Sequence, residues 1–272
     1  MRKLVAGILL LTALASFNGE KQKTFPVVRN TNFGTGEVIN YRVNFGIFTV
    51  GHATTMVDKK IFTVNARPCY KIDAYGSTSG LVSWLSKVDD QWGAYVDTAA
   101  LVTHVSYRKL KEGHFRRDEL VTFDHEKKNA EVKLKNKKTG LYDDVKNYPV
   151  KDNVRDIVAG FTFLRVINYN QYKNGDTLAI SGFFEDNSYV LKIIYDGKEK
   201  VDTDLGTIMC RRLIPIVPDN KLFDGENSIT VWISDDENQL PIKIQAKMFI
   251  GSTGLELEGF KGLRNQLKVV QR

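Results

Sequence analysis

Three adjacent aspartate pairs, Asp89-Asp90, Asp143-Asp144 and Asp235-Asp236, are the residues of this 272-residue chain best suited to acid–base or cation chemistry. Neighbours on a strand point to opposite faces, so such a pair can act together only in a turn. Asp235 and Asp236 do sit in a turn-like stretch, SDDENQ, directly after a strand bearing Trp232. There they could hold a cation such as Ca²⁺ weakly through carboxylate and carbonyl oxygens. The plainer reading is an Asx-type turn that fixes a hairpin register. A glycosidase needs two carboxyl groups ~5–10 Å apart across a cleft. Asp89, Asp90, Asp235 and Asp236 are the candidates for that chemistry.

The other catalytic patterns fail. In Gly76-Ser77-Thr78-Ser79-Gly80 a Thr stands where a nucleophile elbow needs its Ser, and no α/β pattern surrounds it. Gly254, Gly259 and Lys261 lack the order of a phosphate-binding loop. Of the four histidines, His104, His114 and His125 fall in one window, and His52 lies apart. With Glu112-Gly113 as a hairpin tip, His104 faces Val121 and His125 faces Ala100. That separates the two imidazoles by ~13 Å at ~3.3 Å per residue and makes them surface or edge groups. No spacing of His, Cys or carboxylates matches a metal site, and no cofactor motif is present.

Binding chemistry has better candidates. Trp84, Trp92 and Trp232 are amphipathic aromatics that could line an apolar or glycan cleft, or simply pack between sheets. Arg165, late in a helical stretch, is either a helix-dipole partner or a buried anchor for an acidic group. STSGLVSWLS, from Ser77 to Ser86, combines small and apolar residues as a flexible loop over a cavity would. Cys69 and Cys210 each lie in a strand-like run and read as independent structural thiols, although an oxidising compartment would permit pairing.

These residues are positioned by strands. Ile39, Tyr41, Val43 and Phe45 alternate with Asn40, Arg42 and Asn44; Tyr189 to Tyr195 and Ile242 to Ile250 repeat the pattern. Strict alternation means a sheet with one buried and one wetter face. Glu112-Gly113, Asn174-Gly175-Asp176, Asp196-Gly197 and Asp224-Gly225 punctuate the runs as turns. The spacing predicts an all-β fold of strongly curved antiparallel sheets, barrel-like or sandwich. One segment differs: 153–169 has helical periodicity through Val154, Ile157, Val158, Phe161 and Leu164, with Asp152 or Asn153 as N-cap. Such a helix would plug a sheet opening or cross to a second half-sheet.

Residues 1–15 have the basic start, short apolar run and small-x-small exit (Ala13-Leu14-Ala15) of a cleavable secretory signal, with no Cys near the exit for a lipid anchor. No later run is long enough to span a bilayer. Export predicts a periplasmic protein with an extended segment over 16–34, one all-β domain over 35–263 and a C-terminal tail over 264–272. Loss of Arg2 and Lys3 with the leader lowers the formal charge from +7 by two, to +5. That excess is mild, and the densest basic run, Glu126 to Lys138, has no aromatic residue, so it reads as a solvated strand face and not a nucleic-acid site.

Several ordered segments carry a resemblance: GEVINYRVNFGIFTVGHA (Gly36 to Ala53), WLSKVDDQWGAYVD (Trp84 to Asp97), KEGHFRRDELVTFD (Lys111 to Asp124), DIVAGFTFLR (Asp156 to Arg165), KVDTDLGTIMCRRLIP (Lys200 to Pro215) and VWISDDENQLPIKI (Val231 to Ile244). In this order the chain resembles the exported bacterial family known as domain of unknown function 3108. The resemblance implies a periplasmic all-β fold with strongly curved sheets and implies no activity. Ala159 stands where the family's helix motif usually has Ser.

Two function classes follow. One is a non-catalytic periplasmic protein that binds a lipid-like or other amphiphilic ligand, or docks an envelope protein partner as an assembly accessory; Trp84, Trp92, Arg165 and Trp232 would then line its site. The other is a periplasmic hydrolase or glycan-processing enzyme using the paired carboxylates.

Overall fold

Among the described residues the alternating runs become fourteen strands, and the strands form one antiparallel sheet. In the computed structural model, which describes residues 25–85, 87–216, 225, 227–249 and 251–270, the strands of the first half are β1 (Val38–Phe45), β2 (Phe48–Val64), β3 (Arg67–Thr78), β4 (Asp89–Asp97), β5 (Thr103–Glu112), β6 (Phe115–Asp124), β7 (Asn129–Lys135) and β8 (Tyr142–Pro149). The second half supplies β9 (Thr177–Phe184), β10 (Asn187–Thr203), β11 (Gly206–Ile216), β12 (Ile229–Ser234), β13 (Pro241–Lys247) and β14 (Ser252–Lys261). Within each half, sequential strands pair with their neighbours. The halves join where β1 pairs with β14, so the two ends of the domain meet in mid-sheet. The free edges are β8 and β9, both from the middle of the chain. The expected leader, residues 1–15, lies outside the described residues.

The helical stretch connects those two edges. Helix α2 (Ile157–Leu164) follows β8 and precedes β9, and it touches β3 and β4 as well as β9. The sheet therefore curls around the helix, and no second half-sheet forms. Two core clusters share it. Val158 and Ala159 pack with Phe33, Val57, Ile72 and Val96. Leu164 packs with Ile180, Ile193, Leu213 and Val231 from the other half. Apolar residues on two faces of so short a helix thus serve both walls of the curled sheet.

Helix α2 begins later than its sequence suggests. Asp152 and Asn153 do not cap it; Asp156 does, accepting from the N–H groups of Val158 and Ala159. Residues before it are drawn to the β9 edge: Arg155 N–H donates to Ser181 O and Phe183 N–H donates to Arg155 O. This short parallel bridge, with Tyr148 Oη donating to Asp186 at 2.9 Å, covers part of the gap between β8 and β9 without a ladder between them.

Three turn assignments change, one of them at the β5–β6 tip, where Glu112 pairs with Phe115. Asp196-Gly197 is a bulge within β10, where register shifts between Tyr195 and Lys198 and Gly197 adopts φ +77°. Of the stretch read as a loop, Ser77 to Ser86, the first residues finish β3 and Gly80–Leu85 form a second short helix, α1; Ser86 lies outside the described residues. Cys69 and Cys210 are free, buried thiols, as two independent structural cysteines require.

Candidate functional site

A cavity of about 270 Å³ separates α2 from the sheet. Six adjacent strands each give it an inward side chain: Ile244 from β13, Leu255 from β14, Ile39 from β1, Ala53 from β2, Ala74 from β3 and Trp92 from β4. Ile157, Val158 and Phe161 of α2 face them. The space exists because Ala53 and Ala74 are small where neighbouring strands carry large residues. Phe161 and Tyr75, 39% and 40% exposed, border it on the solvent side. A second void of about 70 Å³ on the other side of α2 shares Ile157 and Phe161 with the first.

The closed side of the cavity is polar and fully engaged. Arg165, at the C-cap of α2, pairs through both guanidinium Nη atoms with both carboxylate oxygens of Glu37; the Nη2–Oε2 distance is 3.0 Å. Its Nε donates to Asn238 O and its Nη2 to Asn32 O, both at 3.3 Å. The guanidinium also lies 5.3 Å from the Phe33 ring. Of the two readings of Arg165, the buried anchor for an acidic group is the one the geometry gives. Tyr41 Oη donates to Pro241 O beside this pair, and burial raises its phenol well above the usual range, an effect Arg165 partly offsets. The arrangement can accommodate an apolar body, with few free polar groups to contact it.

The sequence candidates divide between this cavity and other places. Trp92 and Arg165 both line it. Trp92 is also covered on its other side by Arg108, whose guanidinium lies 5.3 Å over the ring and pairs with Glu119. Trp84 projects from α1 into solvent, and Trp232 donates its indole N–H to Glu199; neither lines the cavity. Asp236 accepts from Ser234 Oγ and from the N–H groups of Asn238 and Gln239, which makes it the capping residue of the β12–β13 turn. Asp235 pairs with Lys198 and Arg211. Asp89 pairs with Lys111, and Asp90 accepts from the Lys111 N–H. In sequence, the only local trace of the cavity is the alternation of Ala53, Thr55 and Val57, whose inward face begins with small residues.

The histidines require a correction. Glu112 pairs with Phe115, so the β5–β6 tip is Gly113-His114 and the register moves by two places. His104 and His125 therefore converge, with ring centroids 5.3 Å apart, and both are buried. Phe25 sets its ring edge-on to each, at 6.0 and 5.1 Å. His125 Nε2 donates to Thr103 O at 2.7 Å, and His104 Nε2 lies 3.4 Å from Asp97 Oδ2. Asp97 also pairs with Arg67, whose guanidinium stacks on Phe25. The cluster anchors the N-terminal segment to the β4–β5 end of the sheet, away from the cavity lining.

No curated protein matches the chain. Among solved structures, a β-barrel-like protein of domain of unknown function DUF1849 from Brucella abortus aligns with TM-score 0.54 at 11% identity, covering 84% of this chain and 98% of that one. An alignment to a Bacteroides fragilis protein with a YmcC-like fold has TM-score 0.31 at 13% identity, over 87% and 98% of the two chains. A candidate lipoprotein from Parabacteroides distasonis gives 0.30 at 11% identity, over 87% and 97%. At these identities the first likeness shows a shared β-barrel-like fold and nothing of function. The family described as protein of unknown function (DUF3108) matches residues 40–258, from within β1 to within β14, and the chain belongs to that family.

Proposed function

We propose that the protein is a non-catalytic exported binding protein that holds the apolar part of a lipid-like or other amphiphilic ligand between α2 and the β13–β14–β1–β2–β3–β4 wall. The observation that carries this reading is the cavity: about 270 Å³, lined mainly by aliphatic and aromatic side chains, with its charged groups, Glu37 and Arg165, paired to each other. Its volume sits just under the ~300–1,000 Å³ of small-molecule sites. An apolar space of that size favours a chain or ring over water. Export rests on the leader-like residues 1–15 and gives a periplasmic location. The hydrolase alternative has less support, because Asp89, Asp90, Asp235 and Asp236 do not line the cavity and are engaged by Lys, Arg, Ser or backbone donors.

The test is native mass spectrometry, with lipid extraction, of the protein purified from the periplasm. A stoichiometric acyl-chain or other amphiphilic ligand is expected, and it should be lost from Ala74→Trp, which fills the cavity from β3. Ligand-free wild type, or a ligand retained undiminished by the filled variant, overturns the proposal. The latter result would place the ligand elsewhere on the molecule.

A further inference from the structure

The sheet presents two unlike ends. One is closed by Phe33, the Arg165–Glu37 pair and the Asp236-capped turn, and its β2–β3 and β6–β7 turns, Asn65-Ala66 and Glu126 to Lys128, carry no large apolar side chain. The opposite end carries large apolar side chains on successive connections: Ile47 and Phe48 on β1–β2, Trp84 on α1, Phe115 on β5–β6, Leu141 on β7–β8 and Phe249 on β13–β14. Their exposure runs from 51% at Phe115 to 91% at Ile47.

These connections are tied side by side. Gly46 N–H donates to Ser252 O at 2.8 Å, and Gly251 packs against the Phe45 ring, which joins the β13–β14 and β1–β2 tips. Ser79 N–H donates to Val50 O just before α1, and Gly113 N–H donates to Lys87 O just after it. Beyond lies a cleft between the β5–β6 and β7–β8 tips, lined by Lys111, Phe115, Arg116 and Lys137. Its lining carries six cations, Lys109, Lys111, Arg116, Arg117, Lys135 and Lys137, against three carboxylates, Asp118, Asp143 and Asp144, which leaves the cleft net positive.

We infer that this end of the curled sheet docks on an anionic lipid bilayer, with the apolar tips entering the interface and the β5–β8 cations facing the headgroups. Trp, Phe and Leu beside Lys and Arg is the composition that interfacial membrane contacts use. The apolar groups come from separate protruding turns, each able to enter a fluid interface singly. A protein partner would need a matching pocket for each. The inference stands on the rim residues and is independent of what the cavity holds.

Co-sedimentation of the purified chain with vesicles of phosphatidylglycerol and phosphatidylethanolamine tests it. Binding is expected, at least tenfold weaker to phosphatidylcholine vesicles and in high salt. The quadruple variant Ile47→Asn, Phe48→Ser, Trp84→Ser, Phe249→Ser should bind at least tenfold more weakly with an unchanged circular dichroism spectrum. Lys111→Glu with Arg116→Glu and Lys137→Glu should abolish the preference for anionic lipid. Brominated acyl chains should quench wild-type fluorescence and lose that effect in Trp84→Phe, a variant that carries no folding risk. Absence of vesicle binding by the wild type overturns the proposal, as does undiminished binding by the quadruple variant. So does a crosslink from position 47 to one protein without vesicle binding, which would make the rim a protein-docking surface.

Discussion

Glu37, one residue before β1, and Arg165, the residue that ends α2, form a buried two-pronged ion pair across 128 positions of sequence. It fixes the end of the helix against the strand that joins the two halves of the sheet. Both side chains are almost fully excluded from water, so neither can lose its partner cheaply. Glu37→Ala or Arg165→Ala should each cost about 3–5 kcal/mol of stability. Replacing both by Leu and Met should cost much less than the sum, since no unpaired charge remains. Urea midpoints of the two singles and the double read this directly. Single losses under about 1 kcal/mol would show that the pair is hydrated or dispensable.

Asp97 predicts how acid acts on the N-terminal anchor. Burial alone would raise its carboxyl, but hydrogen bonds from His104, Arg67 and the N–H groups of Ala100 and Ala99 hold it well below the usual carboxylate range. An acid with a depressed folded value stabilises the fold above its unfolded value of ~3.9 and loses that contribution as pH falls toward the folded one. Asp97→Asn should therefore be destabilised at pH 7, and the gap to wild type should close below about pH 4. A gap that stays constant from pH 7 to pH 3 would remove Asp97 from this role.

Asp156, the cap of α2, runs the other way. Burial pushes it up to about 6, against the bonds from Thr103 and the Ala159 and Val158 N–H groups. A raised folded value means that the native state binds the proton better, so its contribution favours folding in acid and declines between about pH 4 and pH 6. Asn keeps a capping oxygen without the titration. Relative to wild type, Asp156→Asn should gain on the order of 2–3 kcal/mol as pH rises through that window. Parallel stability curves for the two proteins from pH 4 to pH 8 would contradict it.

The strands were readable because each is a local period-two run, and α2 was readable from its own periodicity. What joins them was not. The β1–β14 pairing brings together residues more than 200 positions apart, such as Val38 and Lys261, and no local signal encodes it. The His104–His125 contact was hidden by a two-residue change in one hairpin tip, which relocates every pair along β5 and β6. Trp92 and Trp84 look alike as letters; only the strands and helix around them decide that one lines a cavity and the other stands in solvent. The cavity itself depends on Ala53 and Ala74 lying opposite Ile157 and Phe161, a juxtaposition made entirely by tertiary structure.

The two cysteines should be chemically silent in the native protein. Both are fully buried and unpaired, and burial pushes each thiol up to about 12. Alkylation by iodoacetamide at pH 8 should be slow in buffer and complete in denaturant, with two free thiols recovered from protein never exposed to reductant. Rapid native labelling of either residue, or a disulfide in the oxidised chain, would mean that its strand opens far more readily than its packing indicates.

Gly93 on β4 is required by the residue directly across from it on β5. The Tyr107 ring lies over the bare backbone of Gly93, and a Cβ there would come within 2.3 Å of the ring. The ring cannot simply tilt away, because its hydroxyl donates to the buried carboxylate of Asp73. Gly93→Ala should therefore cost about 2–3 kcal/mol through overpacking and the lost hydrogen bond. The two substitutions act on one contact, so their effects should not add. Gly93→Ala placed on a Tyr107→Ala background should cost less than about 0.5 kcal/mol, because the space is then free. If the glycine substitution is equally damaging on both backgrounds, the constraint is backbone conformation and not the tyrosine. Thermal melts of the four proteins in the cycle separate the two explanations.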